Sequence, residues 1–269
     1  PPDLLDKLLT PKVRELFPVI NFDLLIGLPR QSIKTITNTI NEVVRLKPSQ
    51  LQTMYVHYKP GTRKYMIKMV RNEPMLDFFD RKAVFQKASE ILMGSGYSRA
   101  GFESYALAND PLTKSIKEKK AVYNSLGTQK GEATNFIAVG SSAHGVLNDQ
   151  YYFQNYYEQD LYRKSIKEGR FPIYRGLKMK PGDVIRREVI RHIRTFFNVE
   201  FDYFDKKYPY KFKEYFEKEL KNLKNMEEDG LLIINNENIV ITPLGEHFSP
   251  QIANVFDVYN DQEFYNRAL

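Results

Sequence analysis

The sequence predicts an α/β fold that passes, in its second half, into a mostly helical, winged-helix-like part. Three observations carry this reading. The apolar run Asn21–Pro29, NFDLLIGLP, reads as a buried strand bounded by turn residues. A helical pattern follows from Ser32, and Leu51–His57 reads as the next strand, so the segment forms a βαβ unit with parallel strands. Between Asp183 and Ile241 the pattern changes to three helices and a hairpin, the make-up of a winged-helix module.

The elements follow in order. Residues 1–20 look like the end of a helix-loop segment that follows an earlier strand, and a chain opening Pro-Pro without Met implies a native start farther upstream. Ser32 is a helix cap, with Ile33, Ile36, Ile40, Val43 and Val44 on one face. Lys47-Pro48 stops that helix. After His57 a loop, Tyr58–Pro74, turns at Lys59-Pro60-Gly61. Asp77–Met93 is a helix with Val84, Ala88 and Ile91 or Leu92 inward, closed by glycines at 94 and 96. Phe102–Ala106 and Asn135–Val139 are strand candidates, and residues 110–133 are polar and without a clear period. Gly140–Gly145, a run of small residues ending in His144-Gly145, lets a ligand or another backbone come close.

Tyr151–Tyr157 is strongly aromatic, and a helix runs on to about Glu168. Asp183 opens a helix carrying Ile185, Val189, Ile193 and Phe196 or Phe197 on one face. A short helix near Phe201–Lys207 follows, then a third marked by Phe212, Phe216, Leu220, Leu223 and Met226. Leu231–Ile234 and Ile239–Ile241 flank a turn at Asn235–Asn238, and Thr242-Pro243 is an N-cap followed by Pro at N1.

Composition narrows the chemistry. Apolar residues make up 42% of the 269, enough for a real core, and no apolar run is long enough to cross a bilayer. There is no cysteine, which excludes disulfides and thiolate metal sites within these residues. A cytoplasmic location is the default expectation. The net charge of +7 fits an anionic partner, but Lys211, Lys213, Lys218, Lys221 and Lys224 interleave with Glu214, Glu217, Glu219, Glu227 and Glu228. That mixture argues against a helix that reads nucleic acid, although a winged-helix nucleic-acid or partner-binding module stays open as an alternative. Asp23 is the residue the pattern leaves unexplained. A carboxylate in an apolar strand needs a partner, so it either bonds a loop amide or Arg at a strand end or serves a ligand.

Several stretches in order resemble a known family. NFDLLIGLPRQS, the strand with MYVHYKP, Gly96-Tyr97, IAVGSSAHG at Ile137–Gly145, and the run from Tyr152 to Gly176 are similar to the oxygen-independent coproporphyrinogen III oxidases, the HemN-type radical SAM enzymes. EEDGLLIINNENIVITPLGEHF and the closing VFDVYN resemble the family's C-terminal end. The resemblance covers nearly the whole chain. It implies the last strands and helices of a partial (β/α), TIM-like barrel in residues 1–145 and the helical C-terminal domain in residues 146–269. It also implies a 4Fe-4S cluster, held by a CxxxCxxC motif that this chain lacks, and S-adenosylmethionine. The activity it implies is oxidative decarboxylation of coproporphyrinogen III to protoporphyrinogen IX, with a tetrapyrrole substrate and an electron donor for the cluster as partners. The chain on its own is expected to be inactive.

Three site residues follow from the resemblance. Asp23 matches a strand-end aspartate beside S-adenosylmethionine, where a carboxylate suits the hydroxyl and ammonium groups. His57 stands where the family has a small residue lining a second cofactor or substrate site, which puts a second S-adenosylmethionine in doubt, and His144 stands near the same site. Either histidine could equally be a polar residue filling a strand end. Val122–Thr128 departs from the oxidases' RNFxGYTT-like run, and SSAHG is closer to the haem-chaperone branch. A haem chaperone, a haem-degrading enzyme or a methyltransferase on this scaffold is therefore the alternative. Arg175, Arg186, Arg187 and Arg191 could meet substrate propionates, but an ion-paired face is the expectation.

Overall fold

The computed structural model describes residues 2–58, 60–61, 65–71, 73–124, 127–131 and 135–259. Helices α1 (Pro2–Leu8) and α2 (Pro11–Leu16) precede strand β1 (Asn21–Ile26), helix α3 (Ile33–Leu46) and strand β2 (Gln50–Tyr55). As the sequence predicts, β1 and β2 are parallel, with Asn21 opposite Gln50 and Ile26 opposite Tyr55. Ser32 caps α3, accepting from the Thr35 amide while Thr35 Oγ1 accepts from the Ser32 amide. The helix buries Ile36, Ile40, Val43 and Leu46, and Lys47 ends it in a left-handed conformation.

A short helix, α4 (Tyr65–Met69), lies within the expected loop, whose turn residue Lys59 falls outside the described residues. Helix α5 (Phe78–Gly94) is capped by Asp77, which accepts from the Asp80 amide at 2.8 Å. Strands β3 (Tyr97–Arg99) and β4 (Ser104–Leu107) complete the sheet in the order β1-β2-β4-β3. Here the structure adds to the sequence reading. Strand β4 runs antiparallel to both β2 and β3, so the sheet is mixed and no closed barrel forms among the described residues. Its core packs α3 and α5 against one face through Ile26, Ile40, Leu51, Val84, Phe85, Leu92 and Tyr105.

Helix α6 (Pro111–Lys117) follows, capped by Asp110, which also accepts from Gln50 Nε2. Strands β5 (Val122–Asn124) and β6 (Gly127–Gln129) form a small ladder; Ser125 and Leu126 between them lie outside the described residues. The expected strand Asn135–Val139 is a correction. Only Phe136 bridges, to Val146, and Ile137 and Val139 are more than four-fifths exposed. Their side chains are apolar enough for a strand, but the described residues offer Phe136 a single bridge and no ladder beyond it.

Strands β7 (His144–Leu147) and β8 (Tyr151–Asn155), helix α7 (Gln159–Lys167) and strand β9 (Ile173–Lys178) make a second sheet, ordered β7-β8-β9. The expected boundary between residues 145 and 146 falls inside β7.

The last part begins with helix α8 (Pro181–Phe196), strand β10 (Asn198–Glu200) and helix α9 (Phe201–Lys207). Short helices α10 (Phe212–Tyr215), α11 (Glu217–Asn222) and α12 (Lys224–Glu228) replace the single helix expected from Phe212 to Met226. The breaks fall at Phe216 and Leu223, both fully buried, where the chain bends to keep apolar side chains inward. Strands β11 (Leu232–Ile234) and β12 (Asn238–Ile241) form the expected hairpin, and β10 joins it in the order β10-β12-β11. Thr242 caps α13 (Pro243–Glu246), with Pro243 at its start, and α14 (Ser249–Asn254) closes the fold. Five buried phenylalanines, Phe201, Phe204, Phe212, Phe216 and Phe256, centre this core. Each contributes about 1.5–3 kcal/mol through burial.

Main chain also joins the two cores: the Phe102 amide donates to the Arg194 carbonyl at 2.9 Å. Gly101, beside it, has φ +102° and would place a Cβ 3.0 Å from that same oxygen. At Gly245 a Cβ would come 1.7 Å from the Leu231 carbonyl oxygen, whereas at Gly94 it would meet nothing within 4 Å. Gly245→Ala is expected to destabilise the chain by about 1–3 kcal/mol or more. Gly94→Ala should leave stability unchanged or raise it by up to ~1 kcal/mol. Urea unfolding of both variants beside the parent checks the two signs.

Candidate functional site

The parallel pair β1 and β2 ends at one edge of the first sheet. The Val56 amide donates to the Ile26 carbonyl there, and the chain turns through Gly27 at φ +89°. A Cβ at Gly27 would lie 2.7 Å from Arg81 Cδ, so this glycine allows both the turn and the close approach of α5. Beyond Tyr55 the chain enters a cavity of about 980 Å³, between α5 on one side and α11, α12 and α14 on the other. Such a volume suits a small-molecule ligand.

Its walls combine aromatic faces with cations. Tyr55, Phe78, Phe102 and Tyr123 line it together with Arg81, Lys82 and Arg194, and Glu103 and Asp257 are the acidic groups. Lys82 Nζ sits 4.6 Å from the Phe248 ring centre and within 6 Å of the Tyr55, Phe78 and Phe102 rings. It donates to the His247 carbonyl at 2.6 Å. Burial, reinforced by the charge of Arg81, pushes the Lys82 ammonium down to about 8. Burial pushes the Glu103 carboxyl up, against the pull of Arg194, whose Nη2 lies 3.7 Å away.

A second cavity of about 890 Å³ lies between β7, β8, α8 and α9. Arg187 Nη2 meets Asp149 Oδ2 at 2.5 Å, and Arg187 Nη1 donates to Tyr152 at 2.7 Å; Arg191 lies 3.6 Å from the same carboxylate. Arg186 pairs with Glu219 at 2.7 Å on the other side of the helix. The ion-paired reading of these arginines is the one the structure supports. Glu188 accepts from Tyr203 at 2.6 Å, Lys207 at 2.5 Å and Tyr208. Burial opposes its ionisation, yet those hydrogen bonds outweigh it and hold Glu188 below the usual carboxylate range.

The three residues singled out in the sequence lie in three different places. His57 is exposed on the wall of the first cavity, and His144 is exposed on the wall of the second. Asp23 lines a groove with Leu4, Leu5 and Thr39, is exposed, and accepts from Asn21 Nδ2 at 2.6 Å. The expectation that Asp23 is enclosed in a buried strand is therefore corrected. Phe22, Leu24 and Ile26 face the helical core on one side of the sheet, and the alternate residues Asn21, Asp23 and Leu25 are exposed. Sequence reasoning missed Lys82, Glu103 and Arg194. One signal was present: Phe78, Lys82 and Phe85 share the inward face of α5, where a lysine has no ordinary reason to be.

Comparison with known proteins places the arrangement. The HemN C-terminal domain family model matches residues 179–246. The oxygen-independent coproporphyrinogen III oxidase of Helicobacter pylori 26695 is 30% identical over 241 residues, covering 89% of this chain and 52% of its own length. The chain is similar to these oxidases over most of its own length. The Escherichia coli K12 oxidase is 26% identical over 92% of the chain and 54% of its own length. The solved structure of coproporphyrinogen III oxidase (HemN) from Escherichia coli, described as a radical SAM enzyme, superposes with a TM-score of 0.88 at 26% identity. It covers 97% of this chain and 59% of that one. The chain thus spans about half the length of these oxidases. It superposes on part of that α/β architecture, and no closed barrel forms among the described residues.

His192, on α8, is half-buried among Phe196, Tyr203 and Phe204. Burial lowers its pKa to about 4 from 6.5. Between those values the unfolded chain binds a proton that the folded chain does not. Stability is therefore lost as pH falls from 6.5 toward 4. His192→Phe is expected to flatten that part of the profile, read as urea midpoints for parent and variant at successive pH values.

Proposed function

We propose that the intact protein is a radical S-adenosylmethionine oxidoreductase acting on a tetrapyrrole. The reaction would be oxygen-independent conversion of coproporphyrinogen III propionates to vinyl groups with loss of carbon dioxide. The superposition on the Escherichia coli enzyme at a TM-score of 0.88 over 97% of the chain supports this most directly.

The residues here do not fit an iron-sulfur cluster. The chain has no cysteine, and no group of histidine and carboxylate side chains among the described residues is arranged to hold a metal. A 4Fe-4S cluster in the intact protein would be held by residues outside these 269, and an electron donor would serve it there. For S-adenosylmethionine the fit is better. Asp23 is an accessible carboxylate whose neighbour Asn21 holds one oxygen, leaving acceptor capacity for the cofactor's hydroxyl or ammonium groups. When bound, the cofactor supplies the radical that takes hydrogen from a propionate. The chain's own part is to orient that side chain and keep water away. His57 and His144 border separate cavities, so they would act on different parts of a bound ligand. No helix among the described residues is long and apolar enough to cross a membrane. A cytoplasmic enzyme is the setting we propose.

Three measurements test this reading. The intact protein, reconstituted anaerobically and reduced, is expected to form 5′-deoxyadenosine and to release carbon dioxide from coproporphyrinogen III. The 269-residue chain alone should take up no iron-sulfur absorbance, and absence of deoxyadenosine from cluster-replete intact protein would refute the assignment. Asp23→Asn in the intact protein should weaken S-adenosylmethionine binding by about 1–3 kcal/mol while the melting temperature holds. Unchanged affinity would remove Asp23 from the site.

A further inference from the structure

Away from the cavities, the turn from α7 into β9 presents a group of apolar side chains to solvent. Phe171 is 88% exposed, and Ile166, Ile173, Tyr174 and Leu177 are exposed around it. All six residues of β9 are exposed. Main-chain bonds keep these positions together. The Gly169 amide closes the end of α7 on the Ile166 carbonyl at 3.0 Å, and the Tyr156 amide, just past β8, donates to the Pro172 carbonyl at 2.9 Å. Tyr157, also exposed, lies edge-on to Tyr174 with ring centres 5.7 Å apart. Single exposed apolar residues are ordinary, but a contiguous group marks a contact surface.

Charge decides what makes the contact. Between Tyr157 and Lys178 the chain carries Arg163, Lys164, Lys167, Arg170, Arg175 and Lys178 against Glu158, Asp160 and Glu168. Among the described residues, the ion pair in this stretch joins Arg170 to Glu168. Arg175 donates to the neutral Gln154 side chain at 2.9 Å, and Lys178 Nζ lies 5.5 Å from the Tyr151 ring centre. A second copy of the chain brings the same positive charge and is repelled. Strand addition is discouraged as well: β9 carries Arg175 and Lys178, and its register against β8 shifts at Gln154 and Asn155. Charges and irregularities of that kind keep sheet edges from pairing. A nucleic acid would match the cations but leave Ile166, Ile173 and Leu177 in water. An anionic bilayer serves both, since headgroups meet cations while apolar side chains enter the acyl boundary and tyrosines sit at headgroup level.

We propose that the turn between α7 and β9 is a peripheral docking site for an anionic phospholipid bilayer, with Phe171 inserting and Lys167 and Arg170 meeting headgroups. Docking of this kind involves one leaflet and no spanning segment, so it is compatible with an enzyme on the cytoplasmic side. It goes beyond the reaction proposed above and does not depend on it.

The test is flotation of the 269-residue chain with vesicles of phosphatidylcholine alone or mixed equally with phosphatidylglycerol. Partition into the mixed vesicles should exceed that into the neutral ones by about tenfold or more at low salt, and should fall as salt rises. Phe171→Ser should weaken it about tenfold, the lower end of the effect of burying a phenylalanine. Lys167→Gln combined with Arg170→Gln should weaken it by about tenfold or more. Phe79→Ser removes a 78% exposed ring from α5 and should leave partition unchanged. The lipid and salt dependence of the parent reads the proposal even where a variant unfolds. The proposal is overturned if the chain ignores both vesicles, if it binds neutral ones as well, or if the Phe171 and cation variants partition like the parent. Loss of binding in Phe79→Ser equal to that in Phe171→Ser would also overturn it. Retention on immobilised polyglutamate without vesicle binding would assign the surface to an acidic protein instead. The intact protein should partition as the chain does; binding by the chain alone would make the surface an internal contact and refute the docking site.

Discussion

Lys82 carries an ammonium group into a ring of four aromatic side chains and ends on the main-chain oxygen of His247. That contact joins α5 of the first sheet to the turn after α13, across more than half the chain in sequence. A buried charge is costly unless it is solvated by something. Here the rings' negative faces and one carbonyl replace water. Arg99 repeats the device nearby. It donates to Ser89 at 2.5 Å and lies 3.4 Å from Glu246, so a second cation from the sheet reaches the same short helix. Both cations tie the first sheet and its helix to the segment 246–248.

The two large cavities treat their cations differently, and the contrast explains their chemistry. In the second, Arg187 and Arg191 share Asp149, and Lys207 is held by Glu188 with two tyrosine hydroxyls beside it. Two carboxylates there hold three cations and tie α8 to the turn before β8 and to α9. In the first, one acid stands close to Arg194, and burial already favours its neutral form. The first cavity thus combines aromatic walls with an ammonium held by a neutral carbonyl, and the second holds its cations against carboxylates.

Much of this architecture was legible in the sequence, and the reason is local chemistry. Ser32, Asp77 and Thr242 announce their helices because a short oxygen-bearing side chain before an apolar period meets the free amides of the first turn. The βαβ unit and the final hairpin are likewise local. What sequence could not show depended on distant segments. The antiparallel direction of β4 and the exposed run at Ile137 and Val139 are decided by which strand lies alongside, and the exposure of Asp23 by which sheet face the helices cover. The cavity draws on α5, β2, α8 and α14, segments up to about two hundred residues apart, and no motif spans them. Lys82 was the one hint, a charge on an apolar stripe.

The main-chain bond from Phe102 to Arg194 has a consequence for how such a protein can change over time. A bond between an amide and a carbonyl does not depend on side-chain identity, so residues on either flank can drift while the two halves stay in register. Gly101 is the exception, because its backbone angle and the nearness of the Arg194 oxygen leave no room for a Cβ. This one bond is therefore tolerant on its flanks and intolerant at a single glycine. Cavity-wall side chains outside the Lys82 and Arg194 contacts could vary without disturbing it.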